Sequence, residues 1–410
     1  MHDVIIIGGG ASGMMAGIVA AEQGKRVLIL EKNRSLGEKL KITGGGRCNI
    51  TNAEEDIHAL LRNYGVAKDF LYSSFSQFGI KETFAFFEKR GLPLVVQARK
   101  RAFPASEKAL DVFLTLKKAL DRAGVECKTD CAVQKINHKD GRVEGVLTNK
   151  GIFRAASYIL ATGGMSHPET GSTGDGFKWL VELGHSVKAA TPTIVPLAVE
   201  DAWVKSLAGV SLSFMKIIFY LDGKKQFTKT GKILFTHFGL SGPLILNSAG
   251  KVAELFESGG QVEARIDVFP DTDLGALEDR IIGVFDTNKN KALKNVMKEI
   301  APLGMPDAIR SLLPDIDFET KVHSITKEER KTMVDLLKAL PVHITHLMGY
   351  DRAVVADGGV ALEEIDTRTM RSKILENLYI TGDLLHINRP SGGFSLQLCW
   401  TTGFVAGSAV

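Results

Sequence analysis

The stretch Asp3-Val4-Ile5-Ile6-Ile7-Gly8-Gly9-Gly10-Ala11-Ser12-Gly13 limits what this chain can fold into more than any other. Four consecutive β-branched residues bounded by turn formers read as a short strand buried on both faces, as in a parallel sheet. The strand runs into G-x-G-x-x-G at Gly8, Gly10 and Gly13, and a helical pattern follows to Ala21. Gly8 permits a tight turn, Gly10 lets the backbone approach a pyrophosphate, and Gly13 lets the helix lie close on the strand. The helix N-terminus then offers free N–H groups and a positive dipole end to two phosphates. A second strand, Arg26 to Leu30, ends in Glu31, 18 residues past Gly13. An acid there accepts the hydroxyls of an adenosine ribose and repels a 2′-phosphate. Together these features predict a dinucleotide site.

Further along, Thr43-Gly44-Gly45-Gly46-Arg47-Cys48-Asn49-Ile50-Thr51-Asn52 reads as a loop of little bulk that presses against a flat ring system, with polar contacts from Arg47, Asn49 and Thr51. Residues 54–126 read as mostly helical, over Phe70 to Phe78, Lys81 to Arg90 and Ser106 to Ala123, with a basic cluster at Arg99-Lys100-Arg101. A hairpin is expected from Cys131 to Leu147, turning at Lys139-Asp140-Gly141. Tyr158 to Leu160 is another buried strand, ending in Ala161-Thr162-Gly163-Gly164 before a polar loop from Ser166 to Gly176.

At Pro192 the pattern changes to short alternating strands, an antiparallel β unit in which Leu234 to Pro243 reads as a turn running into a helix. From Asp273 to Leu340 the signal is helical, a separate small bundle. Asn377 to Ile380 returns to buried strand and delivers Gly382-Asp383 at its carboxyl end, where ligands of α/β sheets sit. Ser391-Gly392-Gly393 opens a last helix from Phe394.

Composition excludes some classes. At 410 residues two or three domains are expected, and 44% hydrophobic with 24% charged residues is ordinary for a soluble globular chain. No apolar run approaches the ~18 residues of a spanning helix. The apolar run after Met1 is already the first strand, so no secretory leader is expected. Cys48, Cys127, Cys131 and Cys399 are few and scattered, which reads as free thiols in a reducing cytoplasm and no metal site. Residues 192–271 carry eight basic and eight acidic residues, and 272–340 carry eleven and twelve, so the net +4 resides in the nucleotide-binding segments. That distribution argues against a large dedicated RNA-binding face.

The N-terminal glycine motif with its acid, the mid-chain Ala161-Thr162-Gly163-Gly164 and the C-terminal Thr381-Gly382-Asp383 resemble the two-dinucleotide-binding-domain flavoproteins. Thr43 to Asn52, Gly171 to Gly176, Phe235 to Pro243 and Gly392-Gly393 narrow this to a resemblance to the BaiN-type family of FAD-dependent oxidoreductases, which includes aminoacetone oxidases. His167 stands where that family usually has Tyr, His386 and Asn388 where it often has Asp, and Asp383 where Glu is commoner. The resemblance implies an α/β fold: a Rossmann-like FAD-binding domain (1–191 and 361–410) interrupted by an antiparallel β-barrel-like insertion (192–271 and 341–360) and a helical insertion (272–340). It implies non-covalent FAD on Gly8, Gly10, Ala11, Ser12, Gly13, Glu31, Lys32, Gly45, Gly46, Arg47, Cys48, Asn49, Val133, Thr162, Gly163, Gly164, Gly382, Asp383, Gly392, Gly393 and Phe394, with the ring between the glycine-rich loop and Gly392-Gly393.

No second G-x-G-x-x-G opens a nicotinamide domain, so any NAD(P)H docks transiently, or electrons pass from substrate to O2. The resemblance implies a cytoplasmic oxidoreductase acting on a small molecule, an amine or aminoketone. Its alternative is reduction of a uridine in ribosomal RNA to dihydrouridine, which charge does not favour; a third reading is a flavin-bearing binding factor without turnover. Cys48 is the expected acid for uridine reduction, and His167, His237 and His386 are the candidates for acid–base work. Sequence leaves the oligomeric state open.

Overall fold

In the computed structural model, which describes residues 2–410, the chain divides into two compact units. One runs up to Pro192 and resumes at Ala353; the other is the continuous segment Thr193–Arg352. Among the described residues no helix is long and apolar enough to cross a membrane.

The first unit is built on β1 (His2–Ile7), α1 (Ala11–Glu22) and β2 (Val27–Leu30). β1 is central in a five-stranded sheet ordered Leu378–Ile380, Ala155–Leu160, β1, β2, Glu126–Lys128, with every neighbouring pair parallel. Val4 to Ile7 are all at most 3% exposed, as an uninterrupted β-branched run demands of a strand covered on both faces. α1 is buried over Ser12 to Ala20 because the helix Phe394–Ala409 lies across it. A Cβ on Gly403 would stand 2.5 Å from the Ser12 carbonyl oxygen, so only glycine lets these helices approach so closely. Pairing Ile7 with Leu30 and Leu160, and Leu160 with Ile380, brings Gly8, Glu31, Ala161 and Thr381 to one end of the sheet.

The helices expected in 54–126 form at Lys68–Gln77, Ile80–Glu88 and Ala109–Arg122. The expected hairpin is Val133–Lys139 with Arg142–Thr148, and Asp140 and Gly141 turn at positive φ (47° and 74°). Ala356–Val360, grouped from sequence with the barrel, pairs instead with Val187–Pro192 inside the first unit. Its Gly358-Gly359 pair explains this: both have positive φ and leave no room for side chains against Ala190 and the Leu384–His386 backbone.

The second unit contains a closed six-stranded antiparallel barrel, Leu197–Val199, Gly239–Ser241, Lys224–Thr236, Ser211–Leu221, Val262–Asp267 and Leu340–Leu347. Where sequence suggested a turn running into a helix, a short strand, Gly239–Ser241, comes before the helix Pro243–Leu246. The helices Leu274–Thr287, Leu293–Ile300, Pro306–Ser311 and Lys327–Lys338 do not form a core of their own. Leu277, Ile281, Met297 and Met333 join Ile217, Phe219, Phe235 and Ile266 of the barrel in one apolar cluster. Amphipathic helices this short bury their apolar stripe on a neighbour, and the barrel supplies it.

Candidate active site

The glycine motif has the geometry its spacing predicts. Gly8 sits at φ 104°, where a Cβ would stand 2.5 Å from the Ala161 carbonyl oxygen, and a Cβ on Gly13 would stand 2.0 Å from that of Gly8. Gly10 faces open space and caps α1 without a side-chain bond, so the N–H groups of the first turn, Ala11 included, are left for an anion. The Ser12 hydroxyl oxygen accepts from Thr381 Oγ1 at 3.2 Å, which leaves its own O–H as a donor beside the backbone N–H groups.

Glu31 is buried, and each of its carboxylate oxygens already accepts a backbone N–H at 2.8 Å, from Gly9 and from Asn33. Burial raises its pKa, and those two N–H groups oppose the rise. One further lone pair on each oxygen remains for a ribose hydroxyl. The Cys131 N–H donates to the Glu31 carbonyl, which sets half-buried Val133 nearby in the chain. Lys32 departs from expectation: its ammonium donates to Thr173 Oγ1 (2.6 Å) and Asp175 Oδ2 (2.8 Å), tying down the polar Gly171–Gly176 loop.

In the second loop, Gly44, Gly45, Gly46 and Cys48 all have positive φ, and Gly45 and Gly46 face open space. Asn49 Oδ1 is buried without a partner. Three residues expected at the ring make contacts within the protein. The Arg47 guanidinium turns away to Glu107 (2.9 Å) and Gln97 (2.9 Å) and covers the Phe103 ring, because those groups complete its planar fork. Thr51 donates to Gln397 Oε1 at 2.6 Å within the core. Cys48 is 0% exposed, and burial pushes its thiol up to about 12 against a weaker opposing bond to Thr43. It packs as a small apolar group and is a poor proton donor near neutrality.

At the sheet end, Thr162 Oγ1 is buried without a partner, and a Cβ on Gly164 would lie 3.4 Å from Asp383 Cβ. Gly163 and Gly382 turn at positive φ. Asp383 does not stand alone. It is paired with Arg389, which is 3% exposed and also donates to Ser395 Oγ (3.0 Å) and the Ile387 carbonyl (2.7 Å). Lys39 reaches Ser166 Oγ at 3.1 Å; burial lowers its pKa and Asp383 opposes that. The Cys399 thiol is pushed up to about 12 by burial and then by Asp383. Gly393, at φ 100°, lies against the Thr51 backbone, which brings the two glycine loops together. Gly392 accepts from Asn52 Nδ2, and Phe394 is buried edge-on against Tyr64.

Two of the three candidate histidines belong to this unit. His167 holds Glu169 Oε1 at 2.8 Å. His386 Nε2 meets Lys188 Nζ at 3.3 Å and Asp357 Oδ1 at 3.5 Å. His237 lies in the second unit, exposed, with its ring edge-on to Phe238.

Sequence reasoning missed Lys39, Arg389, Lys188 and Asp357. Lys39 stands four residues before the glycine loop and Arg389 four before Gly393, and proximity to those loops was the available signal. Nothing local marked Lys188 or Asp357, which a strand pairing brings together.

The residues present fit FAD. Gly10 and the first turn of α1 would hold the pyrophosphate, Glu31 the ribose, and the unpartnered Asn49 Oδ1 and Thr162 Oγ1 the polar edges of the remainder, with Lys39 the nearby cation.

A family model described as the HI0933-like protein Rossmann domain matches residues 2–409. The chain is similar to the 3-dehydro-bile acid delta(4,6)-reductase of Clostridium scindens, at 29% identity over 100% of this chain and 99% of that one. It is also similar to the ribosomal RNA dihydrouridine synthase of Haemophilus influenzae, at 26% identity over 99% and 98% of the two chains. Among solved structures, the 3-ketosteroid-delta4-(5alpha)-dehydrogenase of Rhodococcus jostii RHA1 superposes with a TM-score of 0.56 at 15% identity, covering 100% of this chain and 96% of that one, which shows a common fold.

Proposed function

Because the chain belongs to the HI0933-like family and is an FAD-dependent oxidoreductase, we propose that it reduces a carbon–carbon double bond conjugated with a carbonyl group in a small molecule. One observation carries the choice of reaction. The Clostridium relative, matched over 100% of this chain and 99% of its own, is named a delta(4,6)-reductase of a 3-dehydro-bile acid, a name that describes adding hydrogen across a C=C bond conjugated with a C=O group. FAD supplies the two-electron chemistry. This chain's residues bind and orient it and shield it from water.

The reaction needs a hydride at the β carbon, a proton at the α carbon and a donor to the carbonyl oxygen. Sequence offered Cys48 as the acid for uridine reduction, and His167, His237 and His386 for other acid–base work. The buried thiol supports the first role poorly, whereas His167 and His386 are partly exposed near the carboxyl ends of the sheet. NAD(P)H docking transiently is the proposed electron source and the cytoplasm the proposed compartment. Four free cysteines among the described residues accord with a reducing compartment.

Reduction of uridine in ribosomal RNA is the second reading, favoured by the name of the Haemophilus relative. The test is anaerobic reduction of the FAD-loaded protein by NADH or NADPH, followed by separate addition of a 4-en-3-one steroid, uridine-containing ribosomal RNA, and air with an aminoketone. Re-oxidation by the steroid supports the proposal, and re-oxidation by RNA alone supports the second reading. Turnover of only the aminoketone with O2 overturns both.

A further inference from the structure

We propose that His386 donates a hydrogen bond from Nδ1 to the substrate's carbonyl oxygen as negative charge gathers there, and that Lys188 and Asp357 hold the ring in the tautomer able to do so. The inference rests on the reading that a conjugated carbonyl compound is reduced.

Three segments converge on this ring. Lys188 comes from the strand Val187–Pro192, Asp357 from Ala356–Val360, and His386 from the loop that leaves the sheet at Gly382. The loop is pinned: the His386 N–H donates to the Val360 carbonyl at 3.2 Å. Gly359 permits that approach, since a Cβ there would stand 2.8 Å from the His386 nitrogen.

An ammonium has only donors to give. With Lys188 Nζ 3.3 Å from Nε2, that ring nitrogen must be the acceptor. Asp357 Oδ1, 3.5 Å from the same nitrogen, is buried without a hydrogen bond, so no Nε2 proton is spent on it. Asp357 Oδ2, 3.5 Å from Lys188 Nζ, keeps the ammonium in place. The ring proton therefore sits on Nδ1, which no protein group among the described residues takes up. A third of the His386 side chain is exposed, three residues past Asp383, at the end of the sheet where ligands of such folds lie.

A neutral imidazole N–H is a competent donor to a carbonyl oxygen that becomes anionic. The substrate gains a hydride, two electrons with one hydrogen nucleus, at the β carbon from the reduced cofactor. The C=C pair moves toward the carbonyl and charges its oxygen, which Nδ1–H binds. A proton from water then joins the α carbon, and His386 keeps its own proton throughout. Lys188 and Asp357 act through His386 and are positioning residues.

A phenolate is a stable mimic of that anion, and its stacking on oxidised flavin gives a long-wavelength absorption band. The experiment titrates 4-chlorophenol into the oxidised, FAD-loaded protein, with FAD content checked in every variant. Wild type should show the band. His386→Phe should bind the phenol at least ~10-fold more weakly and lose the band, His386→Asn should keep part of it, and with 4-androstene-3,17-dione the rate in His386→Phe should fall on the order of 10²-fold. Lys188→Ala and Asp357→Asn should weaken the band, and Lys188→Arg should restore it. No band in wild type, or an undiminished band in FAD-loaded His386→Phe, overturns the proposal. A His386-dependent band in a protein that no enone re-oxidises supports the donor and sinks the functional reading instead.

Discussion

Glu31 holds two backbone N–H groups, of Gly9 and Asn33, at the mouth of the glycine motif. Removing its carboxylate takes away the ribose acceptor and the brace on the loop together. Glu31→Ala should weaken FAD binding by roughly 1.5–3 kcal/mol, the scale of hydrogen bonds to a charged group. FAD titration followed by fluorescence checks this, and unchanged affinity would show that the ribose is held elsewhere. His185 gives a second prediction. Its side chain is 0% exposed, with Nδ1–H donating to Glu364 at 2.7 Å and Nε2 accepting from Ser372 Oγ at 2.9 Å. Ser372 Oγ accepts the N–H groups of Ile374 and Leu375, so a proton added to Nε2 would meet the hydroxyl proton. Burial holds His185 below the usual histidine range, against the pull of Glu364. A histidine depressed in the fold contributes stability that is present above its unfolded value of about 6.5 and is lost as pH falls below it. The melting temperature should drop between pH 7.5 and pH 5.5, and by less in His185→Gln. Equal drops in both proteins would remove His185 from the account.

The contact between α1 and the helix Phe394–Ala409 has no slack, because Gly403 and Gly407 each lie with their Cα against a carbonyl of α1, at Ser12 and Ala16. Gly403→Val should cost at least about 1–3 kcal/mol through overpacking. It should also weaken FAD binding, since the displaced turn carries the phosphate loop; chemical denaturation and FAD titration read the two effects. A variant as stable as wild type would mean the helices separate freely. This level of structure was largely legible in the sequence. A β-branched run ending in glycine has few ways to fold, and Asp140-Gly141 between alternating residues specifies a hairpin. Side-chain partners were less legible. Arg47 sits in the glycine loop yet binds Glu107, and Lys32 follows Glu31 yet binds Asp175. A long cation reaches whichever carboxylate the tertiary fold brings near, and no local pattern records that. The pairing of Asp383, expected at the cofactor, with Arg389 was not legible because Arg389 carries no motif.

In the whole molecule, the first unit takes its opening strands and its last helix from opposite ends of the chain, while the second is one continuous insertion. We propose on that ground that cofactor binding survives damage confined to the insertion. Leu303 is 94% exposed between the helices Leu293–Ile300 and Pro306–Ser311, and limited proteolysis should cut first near it. The nicked protein should keep its FAD; early release of a fragment ending near residue 190 with FAD attached would contradict the discontinuous unit. The reaction itself is tested most directly by the mass of the product. The FAD-loaded protein, reduced without oxygen and given one equivalent of 4-androstene-3,17-dione, should yield a steroid heavier by the mass of two hydrogens, with oxidised flavin in equal amount. Unchanged steroid beside flavin that stays reduced would contradict the assignment of conjugated C=C reduction to this chain.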